Sequence, residues 1–213
     1  MSHHATSRSR NRRILWAAVV LIAIVVAVTM MVGSLARSLA ATSAGPADTL
    51  QGGAAMAGAD GVVTEADGAM PDGVSAFDEQ QPGVVNLDPD LLHALREAAV
   101  HAREDGIEVV VNSGWRSPEY QDRLLGDAVA DYGSEAEAAR WVATAETSAH
   151  VAGEAVDVGS YDAIDWLSEY GAGYGLCPIY DNEPWHFELH PEAIDQGCPA
   201  KYFDPTEDPR MQQ

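Results

Sequence analysis

Lysine occurs once in this sequence, at Lys201, and cysteine only twice, at Cys177 and Cys198. Positive charge is scarce throughout. Lys and Arg together number 12 against 33 Asp and Glu in 213 residues, a formal net charge of −21. Five of the arginines (Arg8, Arg10, Arg12, Arg13 and Arg37) precede the first acid, Asp48, so the rest of the chain is more acidic still. An acidic body lacks the cations that neutralise phosphates, which argues against a nucleic-acid partner. It argues equally against a soluble part lying on anionic lipid. With no CxxC pair, a zinc ribbon and a thioredoxin-like motif are excluded. Two cysteines in a non-cytosolic domain most often pair. No internal repeat is present, so solenoids and arrays drop out.

One long apolar run exists. Ile14 to Val32 is 19 residues without a charge, the length of a membrane span. The arginines on its N-terminal side predict a cytoplasmic N-terminus and an extracytoplasmic body. A cleaved signal peptide is the alternative, since Ala40, Ala41, Ser43 and Ala44 follow the run. Residues 34–82 are rich in Gly, Ala, Ser, Asp and Pro and hold few large apolar side chains. Such a stretch buries too little to offset its ordering entropy and reads as a tether. The expected organisation is a basic tail 1–13, an anchor 14–33, a tether 34–82, a folded domain 83–205 and a tail 206–213.

Within the domain, Asp88-Pro89 reads as an N-cap followed by Pro at the first helical position. Leu91, Leu92, Leu95, Ala98 and Ala99 then recur at helical spacing up to Gly106. Ile107–Val111 is an expected strand and Ser117-Pro118 opens a helix to about Leu125. Ser134 with Glu137 forms a capping box for a third helix, to about Thr144. Ala155–Val158 and Trp185–Leu189 read as strands, and Asp162–Tyr170 as a helix. Pro191 opens a last short one. Helices and short strands without a regular βαβ repeat predict an α+β fold, a small mixed sheet packed with helices.

Three segments carry chemistry: Ser113-Gly-Trp-Arg116-Ser, Ser148-Ala-His150-Val-Ala-Gly153-Glu-Ala-Val-Asp157, and Glu183-Pro-Trp-His186-Phe-Glu188. Strand alternation turns Asp157 away from Val156 and Val158. A carboxylate there is costly unless paired or metal-bound. Gly153 allows the turn that returns His150 beside Asp157. With His186 on a second strand, two imidazoles and one carboxylate make a usual set for catalytic zinc, leaving Glu183 to take a proton from water. The alternative is structural: a satisfied core histidine at either position, and Asp157 as an N-cap or ion-pair partner. His93 and His101 fall on the exposed side of the first helix. A calcium-binding envelope protein is less compatible, because no D-x-D-x-D-G loop is present and two imidazoles are not calcium ligands.

Ser-x-His-x-x-Gly-x-Ala-x-Asp followed by Glu-Pro-Trp-His resembles the VanY-type D-alanyl-D-alanine carboxypeptidases. They belong to the zinc peptidase superfamily that includes D-Ala-D-Ala dipeptidases and the hedgehog domain. Ser113-Gly-Trp-Arg-Ser resembles that family's Gly-Tyr/Trp-Arg-Ser motif, and the likeness covers roughly residues 84–190. It implies His150, Asp157 and His186 as zinc ligands and Glu183 as general base. Arg116 would lie near the scissile carbonyl or the substrate's terminal carboxylate, and Ser148 and Gln121 would contact substrate. Glu188 is either a support for His186 or a rim residue. The implied activity is a zinc D,D-carboxypeptidase that removes the terminal D-Ala of peptidoglycan stem peptides; the anchor is expected from the apolar run alone, and the protein is expected to be a monomer. L,D-carboxypeptidase, endopeptidase and non-catalytic wall-binding readings share the same site. One departure stands out: Tyr174 to Asn182 leads almost directly into Glu183, where many family members have a longer segment. A Cys177–Cys198 disulfide is expected to brace the strand there.

Overall fold

A computed structural model describes residues 62–212. The expected anchor 14–33, the basic tail and the first part of the tether lie outside them. Among the described residues no helix is long and apolar enough to cross a membrane.

In chain order the elements are β1 (Val74–Ser75), α1 (Pro82–Val85), α2 (Pro89–Glu104), β2 (Val110–Ser113), α3 (Pro118–Tyr132), α4 (Glu135–Ala138), α5 (Ala149–Ala152), β3 (Ala155–Gly159), α6 (Tyr161–Tyr170), β4 (Leu176–Pro178), β5 (His186–Leu189) and α7 (Ala193–Gln196). Single 3-10 turns punctuate them. The α+β expectation stands, but the sheet is not mixed. Its order is β1-β2-β3-β5-β4 and every neighbouring pair is antiparallel. The physical reason lies in the connection through α6. β3 and β4 run the same way across that helix, and β5 slots between them, antiparallel to both.

One face of the sheet is the core. Leu91, Leu95, Ala98 and Ala102 of α2 pack with Ile164 and Leu167 of α6 on Val111, Val156, Val158, Leu176 and Phe187. The Asp88 side chain accepts from the Asp90 and Leu91 amides, as an N-cap should. At the other end of α2, the amides of Gly106 and Ile107 bond back to Arg103 and Ala102. That closing turn consumes Ile107, so β2 starts at Val110 rather than at the expected 107. The helix expected to stop near Leu125 runs on to Tyr132, tolerating Gly126 in its interior. The third expected helix is cut to Glu135–Ala138. Beyond it Arg140 reaches across to Asp204 at 2.7 Å, and the chain continues as loop.

The domain begins earlier than composition indicates. Residues 62–82 of the expected tether pack onto the domain: Val74 pairs with Val111, Ala76 is fully buried, and Met70 lies against the core. Few large side chains are involved. Backbone pairing does the work, including Ser117 N–H to the Asp67 carbonyl at 2.8 Å, and such tertiary pairing is invisible to a local hydrophobicity count. The expected tail 206–213 is likewise folded over its described part, into the turns Pro205–Glu207 and Pro209–Gln212.

Candidate active site

The opposite face of the sheet carries the polar cluster. Asp157 on β3 and His186 on β5 are direct cross-strand partners, while Val156, Val158 and Phe187 on the alternate positions face the core. His150 arrives on the single turn α5. Ser148 caps that turn by accepting from the Val151 amide, and Gly153 ends it at φ +78°. A Cβ at Gly153 would stand 2.7 Å from the Asn86 carbonyl oxygen, so the position demands glycine on both counts.

The three ligating atoms fit one small dication. Asp157 Oδ1 lies 3.4 Å from His150 Nε2 and 3.2 Å from His186 Nδ1. Two donors placed tetrahedrally at zinc distances of ~2.1 Å are about 3.4 Å apart. All three atoms lie within 4.8 Å of one another, among buried side chains. Each imidazole's other nitrogen is already committed. His150 Nδ1 donates to the Gly114 carbonyl at 2.8 Å, and His186 Nε2 donates to Glu188 Oε1 at 3.2 Å. Those bonds fix the tautomers and aim a lone pair from each ring at the common centre.

The electrostatics ask for a positive charge there. Burial alone would lower His186, but hydrogen bonds to Asp157 and Glu188 carry it up to about 9. Its extra proton stands where a cation would sit. Burial would raise Asp157, yet His150, His186 and Arg116 outweigh it and hold the carboxyl well below its ordinary value. His150 is lowered, first by burial and then by the charge of Arg116.

Arg116 follows an irregularity in β2 between Val111 and Ser113. Its Nε donates to Ser113 Oγ at 2.8 Å, Nη1 to Gln121 Oε1 at 3.1 Å and Nη2 to Asp157 Oδ2 at 3.0 Å. Gln121 is buried, and its amide Nε2 donates to the Ala143 carbonyl. One end of this side chain thus holds Arg116, and the other is tied to the Ala143 carbonyl. The Ser148 hydroxyl is similarly engaged, as a helix cap. Glu183 sits in the turn before β5, buried, with its carbonyl accepting from the His186 amide. Burial is the first cause that pushes its carboxyl up to about 7. Arg116, His150, Asp157, Glu183 and His186 all line one cavity of about 250 Å³, with Trp141, Trp185 and Met211 among its other walls.

Cys177 and Cys198 are joined as a disulfide. Cys177 pairs across the sheet with Glu188, so the bridge closes the segment that holds Glu183 and His186. Glu188 proves to be buried support for His186 rather than rim. Period-two alternation along β5, which puts positions 186 and 188 on one face, was the available signal. His190 lies beyond the strand and pairs with Glu192 at 3.4 Å. Sequence reasoning passed over Tyr180, whose ring lies 5.3 Å from that of His186, and the Gly114 carbonyl, which no side-chain pattern can announce.

A family model for D-alanyl-D-alanine carboxypeptidase, VanY, matches residues 85–192, just over half of the chain. A D-alanyl-D-alanine carboxypeptidase of Enterococcus faecalis (strain ATCC 700802 / V583) is 31% identical over 134 residues, covering 48% of this chain. The chain spans about half (50%) of that relative's length. Among solved structures, a vancomycin resistance D,D-pentapeptidase VanY mutant in complex with Zn(II) is 29% identical, with 48% of this chain and 72% of that one covered and a TM-score of 0.46. VanYB in complex with D-alanine-D-alanine is 28% identical, with 52% and 74% covered and a TM-score of 0.48. With the matched span containing all three sequence motifs, the chain belongs to the VanY D-alanyl-D-alanine carboxypeptidase family.

Proposed function

We propose that this protein is a zinc-dependent D,D-carboxypeptidase that removes the terminal D-Ala from peptidoglycan stem peptides. The observation that carries the proposal is the buried His150–Asp157–His186 cluster, with donor spacings suited to zinc and both outer imidazole nitrogens already bonded. Relatives described as binding Zn(II) and D-alanine-D-alanine support it.

His150 through Nε2, Asp157 through Oδ1 and His186 through Nδ1 would hold the metal. Zinc bound there supplies Lewis-acid polarisation of the scissile carbonyl and a water acidic enough to ionise near neutral pH. Glu183 would take the proton of an attacking water at its carboxylate oxygen and return it to the leaving D-Ala amine. A buried carboxyl with a pKa near 7 is suited to both transfers. The guanidinium of Arg116 faces developing negative charge or the substrate's terminal carboxylate. In this reading Gln121 and Ser113 hold that guanidinium in place, and Ser148 shapes the wall beside it. Residues 14–33 anchor the protein as a single span, with the domain outside the cytoplasm and monomeric.

The test is mass analysis of products from the purified full chain, zinc and a muramyl pentapeptide ending in D-Ala-D-Ala. Loss of one alanine is expected. Cleavage confined to a tetrapeptide or to cross-linked dimers would overturn the D,D-carboxypeptidase assignment, and zinc binding without any cleavage would favour a wall-binding module.

A further inference from the structure

We propose that Arg210, outside the family-matched span, is a positioning residue for His186, acting through Glu188. The proposal rests on the metal reading of the His150–Asp157–His186 cluster.

Glu188 is a buried carboxylate with two kinds of partner. Oε1 accepts from His186 Nε2 at 3.2 Å and from Arg210 Nη2 at 3.0 Å, and Oε2 accepts from Arg210 Nη1 at 2.6 Å. The arginine thus grips both oxygens in a two-pronged contact, the strongest geometry open to this pair. Arg210 is itself held from behind. Its Nε donates to Asp208 Oδ2 at 2.9 Å and its backbone amide to Asp208 Oδ1 at 2.9 Å. Asp208, fully buried, also accepts from the Tyr180 hydroxyl at 2.9 Å, and the Tyr180 ring packs on His186. The contacts form a closed circuit, His186–Glu188–Arg210–Asp208–Tyr180 and back to His186.

The chemistry of that circuit sets what Arg210 does. With Arg210 on both oxygens, the plane of the Glu188 carboxylate is fixed and Oε1 stays aimed at His186 Nε2. A buried carboxylate that loses the partner gripping both its oxygens turns towards water or other donors. That movement costs His186 Nε2 the acceptor that fixes its tautomer and ring orientation. Partners of this kind typically contribute 10–100-fold to metal affinity. A turn 22 residues along the chain from Glu188 thereby becomes part of the metal site, in a segment that local sequence reasoning assigned to a tail.

The experiment is zinc affinity of the full chain by competition with a chromophoric chelator, alongside thermal unfolding of the same samples. Arg210→Ala should weaken zinc binding about 10-fold or more, as should Glu188→Gln, and the double variant should be no weaker than the worse single one. Arg210→Lys, which keeps the charge without the fork, should fall between Arg210→Ala and wild type and serves if Arg210→Ala does not fold. A lowered unfolding temperature with unchanged zinc affinity would reduce Arg210 to a structural clamp and overturn the proposal. Additive losses in the double variant would overturn the route through Glu188. Absence of zinc binding by the wild type would instead overturn the metal reading itself.

Discussion

Arg116 holds the oxygen of Asp157 that the two imidazoles do not use: Nη2 lies 3.0 Å from Oδ2, while Oδ1 faces His150 and His186. The carboxylate is therefore oriented from one side by a guanidinium and offers a single oxygen to the proposed metal. This relationship gives Arg116 two tasks, fixing a ligand and meeting the substrate. Lysine has one compact charge and no fork, so it cannot reach Ser113, Gln121 and Asp157 together. Arg116→Lys is expected to lower kcat/KM by about 100-fold, a loss of transition-state stabilisation of about 3 kcal/mol. Zinc stoichiometry should persist, because charge next to Asp157 is retained. Steady-state kinetics with metal analysis of the same preparation checks both.

Glu183 is the second residue whose role separates binding from turnover. Glutamine preserves its size and its neighbours but cannot accept a proton. Glu183→Gln should lower kcat by about 10²- to 10⁴-fold, the usual contribution of general base catalysis. Zinc affinity should be unchanged, since Glu183 is not among the three clustered donors. Activity within a few-fold of wild type would remove Glu183 from the proton path.

The cluster was legible in the sequence because its signals are local. Asp157 stands alone among apolar strand residues, Gly153 marks the turn behind His150, and His186 lies on a strand of its own. What escaped depends on long-range pairing. The short segment at Val74 looks like tether until it meets Val111, and Leu176–Pro178 acquires strand character only against β5. The strand direction of β5 was equally hidden, because nothing between Tyr174 and Glu183 announces that β5 inserts between β3 and β4. Gln121 and Ser148 were placed beside substrate by resemblance. Both line the cavity, and their polar atoms also bond within the protein, to Arg116, the Ala143 carbonyl and the Val151 amide.

The disulfide closes the segment that carries Glu183 and His186, with a separation of 21 residues. By loop-closure entropy such a bridge stabilises by about 3 kcal/mol through the unfolded chain. Replacing both cysteines by serine should lower the unfolding free energy by roughly that amount, measured by urea titration. Because Cys177 opposes Glu188 in the sheet, the same variant should bind zinc more weakly. Two free thiols in protein recovered from an oxidising compartment would contradict the bridge.

Acid should loosen the C-terminal turn before the core. Burial alone would raise Asp208, but hydrogen bonds from Arg210 and Tyr180 hold it below the ordinary carboxylate value. A depressed carboxylate contributes stability that is fully present above its unfolded pKa and is lost as pH falls through its folded one. The window therefore lies below about pH 4. Asp208→Asn removes the charge at every pH, leaving Arg210 and the Tyr180 hydroxyl with a neutral partner, and should cost about 2 kcal/mol near neutrality. As pH drops below 4, wild-type Asp208 itself takes up a proton and the gap between the two proteins should close. Urea midpoints at pH 6 and pH 3 for both proteins decide it: a gap that persists undiminished at pH 3 would mean that the Asp208 charge does not hold the turn.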